Sequence, residues 1–367
     1  MFDRKLIRSL DWSLYGAYLF ISLFGLLMIA SASANNEFGD PLHYVRRQIM
    51  FMAIGHVLLI ISLVIDYQFF ANLSIPIYLV NLGLLAAVLV LGVKAGGAQR
   101  WINIGGFTLQ PSEFAKVAVI VTLASAMEKL GKMDSIPKLI VVGIHVAIPM
   151  GLIVIQPDLG TSLVFVGILI AMLYAAGITR SLMAMMFVAG VSLAPVIWLN
   201  GLKAYQRTRL LVFLNPGSDL AGVGYHLQQS IIAVGSGLLT GRGLFNGPQS
   251  QLNFLPEQHT DFIFSVVGEE LGFLGATLLI FALFFVIYRC LQASSVAKDA
   301  FGRYLAVGAA TWIAFQTIVN TGMTAGIMPV TGLPLPFVSA GGSSYMALSI
   351  AIGLVLNVGM RHRKILF

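Results

Sequence analysis

The chain has 367 residues, of which 58% are hydrophobic and only 10% charged, with a mean hydropathy of +0.89. That balance excludes a soluble globular domain and requires lipid as part of the solvent. The formal net charge of +7 speaks of membrane orientation and contact with anionic lipid, not of nucleic acid.

Apolar runs at 14–30, 50–65, 79–93, 117–127, 139–155 and 162–176 open a series that continues at 187–199, 262–288, 304–324 and 346–358. Most approach the length that covers roughly 30 Å of hydrocarbon at about 1.5 Å per residue. The pattern predicts an all-α polytopic membrane protein with about ten transmembrane helices in a single domain, 1–367. Arg4, Lys5 and Arg8 before the first run, and the small residues Ala30 to Ala34 after it, have the ingredients of a cleaved secretory signal. The run is longer than a signal core and more membrane follows, so an uncleaved first span is expected.

Ten spans put both termini on one side. Arg4, Lys5, Arg8, Lys129, Lys132, Lys138, Arg180, Arg289, Lys298, Arg303, Arg361, Arg363 and Lys364 all fall on that side, which marks it as cytoplasmic. The short loops opposite carry only Arg46, Arg47, Lys94 and Arg100. Cys290 is the only cysteine, so no intramolecular disulfide and no thiolate metal site can form.

One connection is long, residues 200–261, and the topology places it outside as an extracytoplasmic loop. Long outer loops commonly carry function. Its glycines predict tight backbone packing, and Ile231, Ile232, Val234 and Leu238 predict a segment on or dipping into the bilayer. Gln110-Pro111-Ser112-Glu113 and Gln156-Pro157-Asp158 each open a span on the same face, where proline and an acid suit a helix's first turn.

Charge inside hydrocarbon is costly and calls for a reason. Lys116 lies about one turn into the fourth span, three residues after Glu113, so the two can pair on one helix face. Such a lysine can be merely snorkelling, or it can be a positioned cation under an outward cavity. Asp261 sits where the long loop meets the eighth span, close to Glu257 and His259, with the materials for general-base chemistry or for a simple helix cap. Glu269 and Glu270, two turns deeper, need buried polar partners from other spans. Arg207, Arg209 and Arg242 offer planar donors suited to phosphate oxygens beside a membrane, or solvated contact with anionic lipid. Between residues 320 and 345, glycines and prolines interrupt helix, and Ser343 offers a hydroxyl at the start of the last span. The histidines form no metal box and no phosphate loop of the nucleotide-binding type is present.

Taken in order, these segments resemble the SEDS family (shape, elongation, division, sporulation) of bacterial cell-wall polymerases over nearly the whole chain. The landmarks are Arg100-Trp101-Ile102 with Gln110 to Glu113 and Lys116, Gln156 to Thr161, Gly224-Tyr225-His226, Leu255 to Phe262, Gly268 to Gly272, and Pro334 to Ser344. The wording His226 to Ser230 and Asn253 to Pro256, with short termini, is more similar to the RodA-like, elongation-type branch than to the FtsW-like, division-type one. Leu238 and Leu239 stand where the family usually has glycine, and Arg242 where it usually has lysine.

The resemblance implies a peptidoglycan glycosyltransferase of the bacterial cytoplasmic (inner) membrane. It would join Lipid II units on the outer face and release undecaprenyl diphosphate. Asp261 matches the family's essential aspartate. The expected set beside it for substrate and diphosphate is Lys116, Glu113, Arg207, Arg242, Asp158, His259, Glu257 and Ser343. A divalent cation, Mg2+ or Mn2+, is implied between the diphosphate and Asp261 instead of in a dedicated cage, with no nucleotide. The implied partners are Lipid II, a class B penicillin-binding protein acting as transpeptidase, and elongation-complex membrane proteins. A Lipid II flippase would also use broken helices and intramembrane charge, but it needs a matching polar set on the inner face. A scaffold would leave Glu113 and Lys116 without a purpose.

Overall fold

The computed structural model describes residues 8–35, 38–95, 98–105, 107–215, 219 and 222–361. Arg4, Lys5, Arg363 and Lys364 of the charge count lie outside the described residues. The chain begins with α1 (Trp12–Ala32), α2 (His43–Val64), the short α3 (Tyr67–Asn72) and α4 (Ser74–Leu91). Three strands follow, β1 (Val93–Ala95), β2 (Ala98–Ile104) and β3 (Phe107–Leu109), paired antiparallel in that order. Then come α5 (Pro111–Leu130), α6 (Ile136–Ile155), α7 (Leu159–Ala175) and α8 (Arg180–Val196), the last running into a π turn, Ile197–Gly201. The long loop contains α9 (Ala204–Leu214), α10 (Val223–Ser236) and α11 (Pro248–Gln251). The chain closes with α12 (Ile263–Val296), α13 (Ala300–Thr324) and α14 (Gly342–Met360).

The expected all-α architecture stands with one addition: the glycine-punctuated stretch after α4 pairs with itself as a small three-stranded sheet, satisfying backbone groups that no helix covers there. Every predicted apolar run falls on one of ten helices, and among the described residues α1, α2, α4, α6, α12 and α14 are the six long and apolar enough to cross a membrane on length and composition. Helices α7 and α8 are apolar but shorter, at 17 residues each. Helices α5 and α13 are long enough but carry polar groups inward, among them Lys116 on α5 and Gln316 and Asn320 on α13.

The core forms around α14, which is buried along almost its whole length against α1, α2, α5, α12 and α13. Its polar atoms are satisfied internally: Tyr345 and Ser349 share hydrogen bonds with Tyr18 at 2.7 and 2.9 Å. One end of the bundle is tied by ion pairs and polar contacts between helix termini. Asp11 meets Arg289 at 2.7 Å, Asp66 meets Arg361 at 3.3 Å, and Tyr67 donates to Asp299 at 2.5 Å. The opposite end holds the sheet, the helices of the long loop and the proline-rich segment between α13 and α14.

Helix α12 is broken at this second end. Gly272 has φ +65, and a Cβ there would lie 2.4 Å from the amide nitrogen of Gly241, so only glycine fits. The backbone groups freed by the break are taken up by the loop before it. Arg242 and Gly243 amides donate to the carbonyls of Glu269 and Glu270, while Phe273 and Leu274 amides donate to Leu238 and Leu239. The predicted loop segment with tight backbone packing is this one. Leu238, where the family usually has glycine, has φ +50.

Candidate active site

The turn from Glu257 to Phe262 carries Asp261 into the base of this end, and its backbone is held from two directions. Asn320 of α13 donates from Nδ2 to the carbonyl of Asp261 at 2.9 Å and to that of Leu333 at 2.8 Å. Ser339 Oγ donates to the Thr260 carbonyl at 2.6 Å, and the Ala340 amide donates to the His259 carbonyl at 2.9 Å. The glycine- and proline-rich segment is therefore a clamp on the turn.

Asp261 does not cap α12: the residue at the cap is Phe262, with no side-chain cap bond, and the Asp261 carboxylate accepts no hydrogen bond among the described residues. It faces Gly332, where a Cβ would stand 3.3 Å from Asp261 Oδ2 and 3.9 Å from Arg209 Nη1. Gly332, at φ +73, leaves room for the carboxylate and the guanidinium to approach one space. Burial pushes the Asp261 carboxyl up to about 6, with Glu257 and Asp158 adding to the rise while Arg209 and Arg100 oppose it. Burial likewise lowers the His226 imidazole on α10, against the pull of Glu257.

The structure brings only part of the expected set to Asp261. Asp158 caps α7 through the Thr161 amide at 3.2 Å and lies 3.8 Å from Arg100, which also donates to the Gln156 carbonyl. Glu257 is exposed, accepts from Thr260 Oγ1 at 3.1 Å, and shares an open cavity of about 450 Å³ with His259. Arg207 turns away and donates to the Leu199 carbonyl at 2.7 Å. Arg242 is exposed at the break in α12. Ser343 is buried, and its Oγ accepts from the Gln110 amide at 2.9 Å, fastening α14 to the entry of α5.

Lys116 and Glu113 do pair, at 2.6 Å, but the lysine is wholly buried, with its ammonium 4.9 Å from the centre of the Trp312 ring. Both side chains are buried inside the bundle. Glu113 Oε2 has no hydrogen-bond partner among the described residues. Of the two deeper carboxylates, Glu270 finds the expected partner on another span, accepting from Ser31 of α1 at 2.6 Å, whereas Glu269 accepts instead from the Gln249 and Ser250 backbone amides of α11 in the long loop.

The cations that bear on Asp261 are thus Arg209, one of the three loop arginines expected to suit phosphate oxygens but not one of the two singled out beside Asp261, and Arg100, a landmark of the resemblance given no role in binding substrate. Arg209 stood in the same basic run as Arg207, two residues on; helical spacing separates their faces, and that signal could have been used. Arg100 belongs to a sheet the apolar periodicity did not reveal. Among the described residues no three carboxylates, imidazoles or thiols converge to hold a metal.

The model of the cell cycle protein family, covering FtsW, RodA and SpoVE, matches residues 11–364. The chain is 39% identical to a probable peptidoglycan glycosyltransferase FtsW of Trichlorobacter lovleyi, over 97% of this chain and 95% of that one. It is 36% identical to the peptidoglycan glycosyltransferase MrdB of Escherichia coli, again over 97% and 95%. Among solved structures it superposes with a TM-score of 0.82 and 30% identity on a chain from a peptidoglycan synthase complex that coordinates polymerization and crosslinking, covering 95% of this chain and 97% of that one. With the rod shape determining protein RodA of Thermus thermophilus the TM-score is 0.72 at 28% identity, covering 97% and 98%. Fold, length and sequence agree, and the chain belongs to the FtsW, RodA and SpoVE family.

Proposed function

We propose that this chain is a peptidoglycan glycosyltransferase that polymerises Lipid II on the outer face of the cytoplasmic membrane, releasing undecaprenyl diphosphate. The observation that carries the reading is Asp261. It is a half-buried carboxylate without a hydrogen bond, raised toward neutrality and facing a space bordered by Arg209. A base with a pKa near the working pH can take the proton from a sugar hydroxyl as that oxygen attacks the anomeric carbon. The bond to the diphosphate breaks with its electrons, and Arg209 with Arg100 is placed to receive the departing charge. A diphosphate leaves without protonation, so no paired acid is needed. A divalent cation, implied by the resemblance, would rest on Asp261 and substrate oxygens, and no step here is routed through it.

In this reading all ten helices cross the bilayer, both termini are cytoplasmic, and the ion-paired end of the bundle is the inner one. That end ties helices to one another, whereas the polar groups left to act lie at the other end, which favours an enzyme over an alternating-access flippase. The elongation-type assignment rests on the His226 to Ser230 and Asn253 to Pro256 wording. It includes work beside a class B penicillin-binding protein and other elongation-complex membrane proteins. The test is glycan formation from Lipid II by the purified protein, with Asp261→Asn and Arg209→Gln expected to be inactive and severely impaired. Branch identity is read separately, as rescue of rod shape in cells lacking their elongation polymerase; rescue of septation instead would reassign it.

A further inference from the structure

Helix α9 carries Arg209 to the site, yet packing alone does little to place it. The helix leans on α10, and only Gln206 and Val212 of its eleven residues are buried. The tether of Arg209 itself is long, Nη1 to the Val330 carbonyl at 3.4 Å, at the weak end of hydrogen-bond geometry.

A polar junction at the start of the helix supplies the missing constraint. Tyr205 Oη donates to the Pro157 carbonyl at 2.8 Å and accepts from Gln206 Nε2 at 2.9 Å. Gln206 is 5% exposed and used at both ends, since its Oε1 accepts from the Lys203 amide at 2.8 Å. The phenol hydroxyl therefore receives one hydrogen bond from a buried neighbour and has its own proton left for one acceptor. That acceptor is shared. The Pro157 carbonyl also takes a hydrogen bond from Arg100 Nη2, while Arg100 Nε donates to the Gln156 carbonyl at 3.1 Å. A carbonyl has two lone pairs, and here one serves α9 and the other β2. Tyr205 and Arg209 stand four residues apart, so their side chains leave one face of α9 with Cβ atoms about 6 Å from each other. Holding the hydroxyl of the first holds the base of the second. The two cations that bear on Asp261, one from the long loop and one from the sheet, are thus referenced to a single carbonyl on the turn between α6 and α7.

We propose that Tyr205 is a positioning residue for glycosyl transfer: through the Pro157 carbonyl it sets the spacing of Arg209 from Arg100, and so the width of the space that receives the departing diphosphate. Tyr205 is 40% exposed, so its ring adds little packing and the hydroxyl is the part that acts. The inference rests on the polymerase reading for what Arg209 does; the junction itself does not depend on it.

Tyr205→Phe removes the hydroxyl and keeps the ring, and two measurements on the full-length protein in detergent read the consequence. In a Cys290→Ser background, spin labels on cysteines introduced at Thr208 of α9 and at Tyr174 near the far end of α7, both exposed, report the separation of the two helices by double electron–electron resonance. The distance distribution should be narrow with Tyr205 and broadened or shifted with phenylalanine, while the unfolding midpoint stays within about 2 °C. Glycan formation from radiolabelled Lipid II should fall by about tenfold or more in kcat with KM within about twofold, because the arginines act on charge that develops in the transition state. In an Arg209→Gln background, where there is no cation left to place, the same Tyr205→Phe change should cost less than about twofold. An unchanged distance distribution overturns the proposal whatever the turnover. So does an equal fold loss in the two backgrounds, which would make the hydroxyl a tie of the fold and nothing more. A wild type that makes no glycan strikes the polymerase reading instead, and the distance measurement still decides whether Tyr205 holds α9.

Discussion

Replacing Asp261 by asparagine should make the protein more stable and inactive at once. The carboxyl ionises at about 6 in the folded protein, against its ordinary 3.8, and burial is the first cause of the rise. A carboxylate raised by folding binds its proton more tightly in the native state. Stability is therefore undiminished below about pH 4, declines as pH rises through the interval to 6, and is lowest above it. At about 1.4 kcal/mol per unit, the charge on Asp261 destabilises the native protein by at most roughly 3 kcal/mol at neutral pH. Asp261→Asn removes that charge with little change of shape. Its unfolding temperature in detergent should exceed that of the wild type at pH 7.5, and the difference should vanish near pH 4. Turnover by the wild type should rise with pH through about 6. A variant no more stable than wild type at pH 7.5 would refute the burial argument, and one that still polymerises would refute the base.

Three other outcomes are expected. Lys116→Met should cost about 3–5 kcal/mol because Glu113 is then buried without a counter-ion, and Glu113→Leu combined with it should restore most of that stability, read as thermal midpoints; a mild single-variant loss would show that the pair is not a buried ion pair. Leu238→Gly should gain roughly 0.5–1 kcal/mol, the relief of a left-handed leucine less the added freedom of the unfolded chain, and a loss of midpoint would contradict it. In a Cys290→Ser background, cysteine at Leu252 should react with an impermeant thiol reagent on intact cells, whereas cysteine at Lys132 should react only after the membrane is opened. The reverse pattern would turn the Asp261 end toward the cytoplasm and revive the flippase.

Hydrophobic runs made the bundle legible because each span must bury or expose an apolar surface of fixed length. They could not show where a helix breaks. Gly272 sits in an apolar run that reads as continuous, and its break depends on the backbone of residues 238–243 being in place. The sheet was invisible for a similar reason: Arg100 and Trp101 sit in a short stretch flanked by glycine pairs, which looks like a loop. At the site, Asp261 stood out because a charge at the end of a span is rare enough to need a cause. Lys116 stood out equally, and it pairs with Glu113 as the three-residue spacing implied, with both side chains buried in the bundle. Charge inside hydrocarbon signals a partner without saying whether that partner is a substrate. Arg209 and Arg207 looked equally suited to phosphate in the sequence, because a two-residue step on a helix reverses the face and only packing decides which face meets the turn.

The interlocked break in α12 also bears on how the chain can vary. An ordinary surface loop absorbs an inserted residue at little cost, since its ends merely have to meet. Between Gly237 and Gly243 an inserted residue would shift the register of the amides and carbonyls that bond to Glu269, Glu270, Phe273 and Leu274, orphaning them where little water is available. Changes of length in this protein should therefore collect in the turn around Lys132 and be absent from the stretch before Gly243. The same constraint falls on biogenesis: the upper third of α12 cannot reach its final shape until a loop synthesised before it has folded back to meet it.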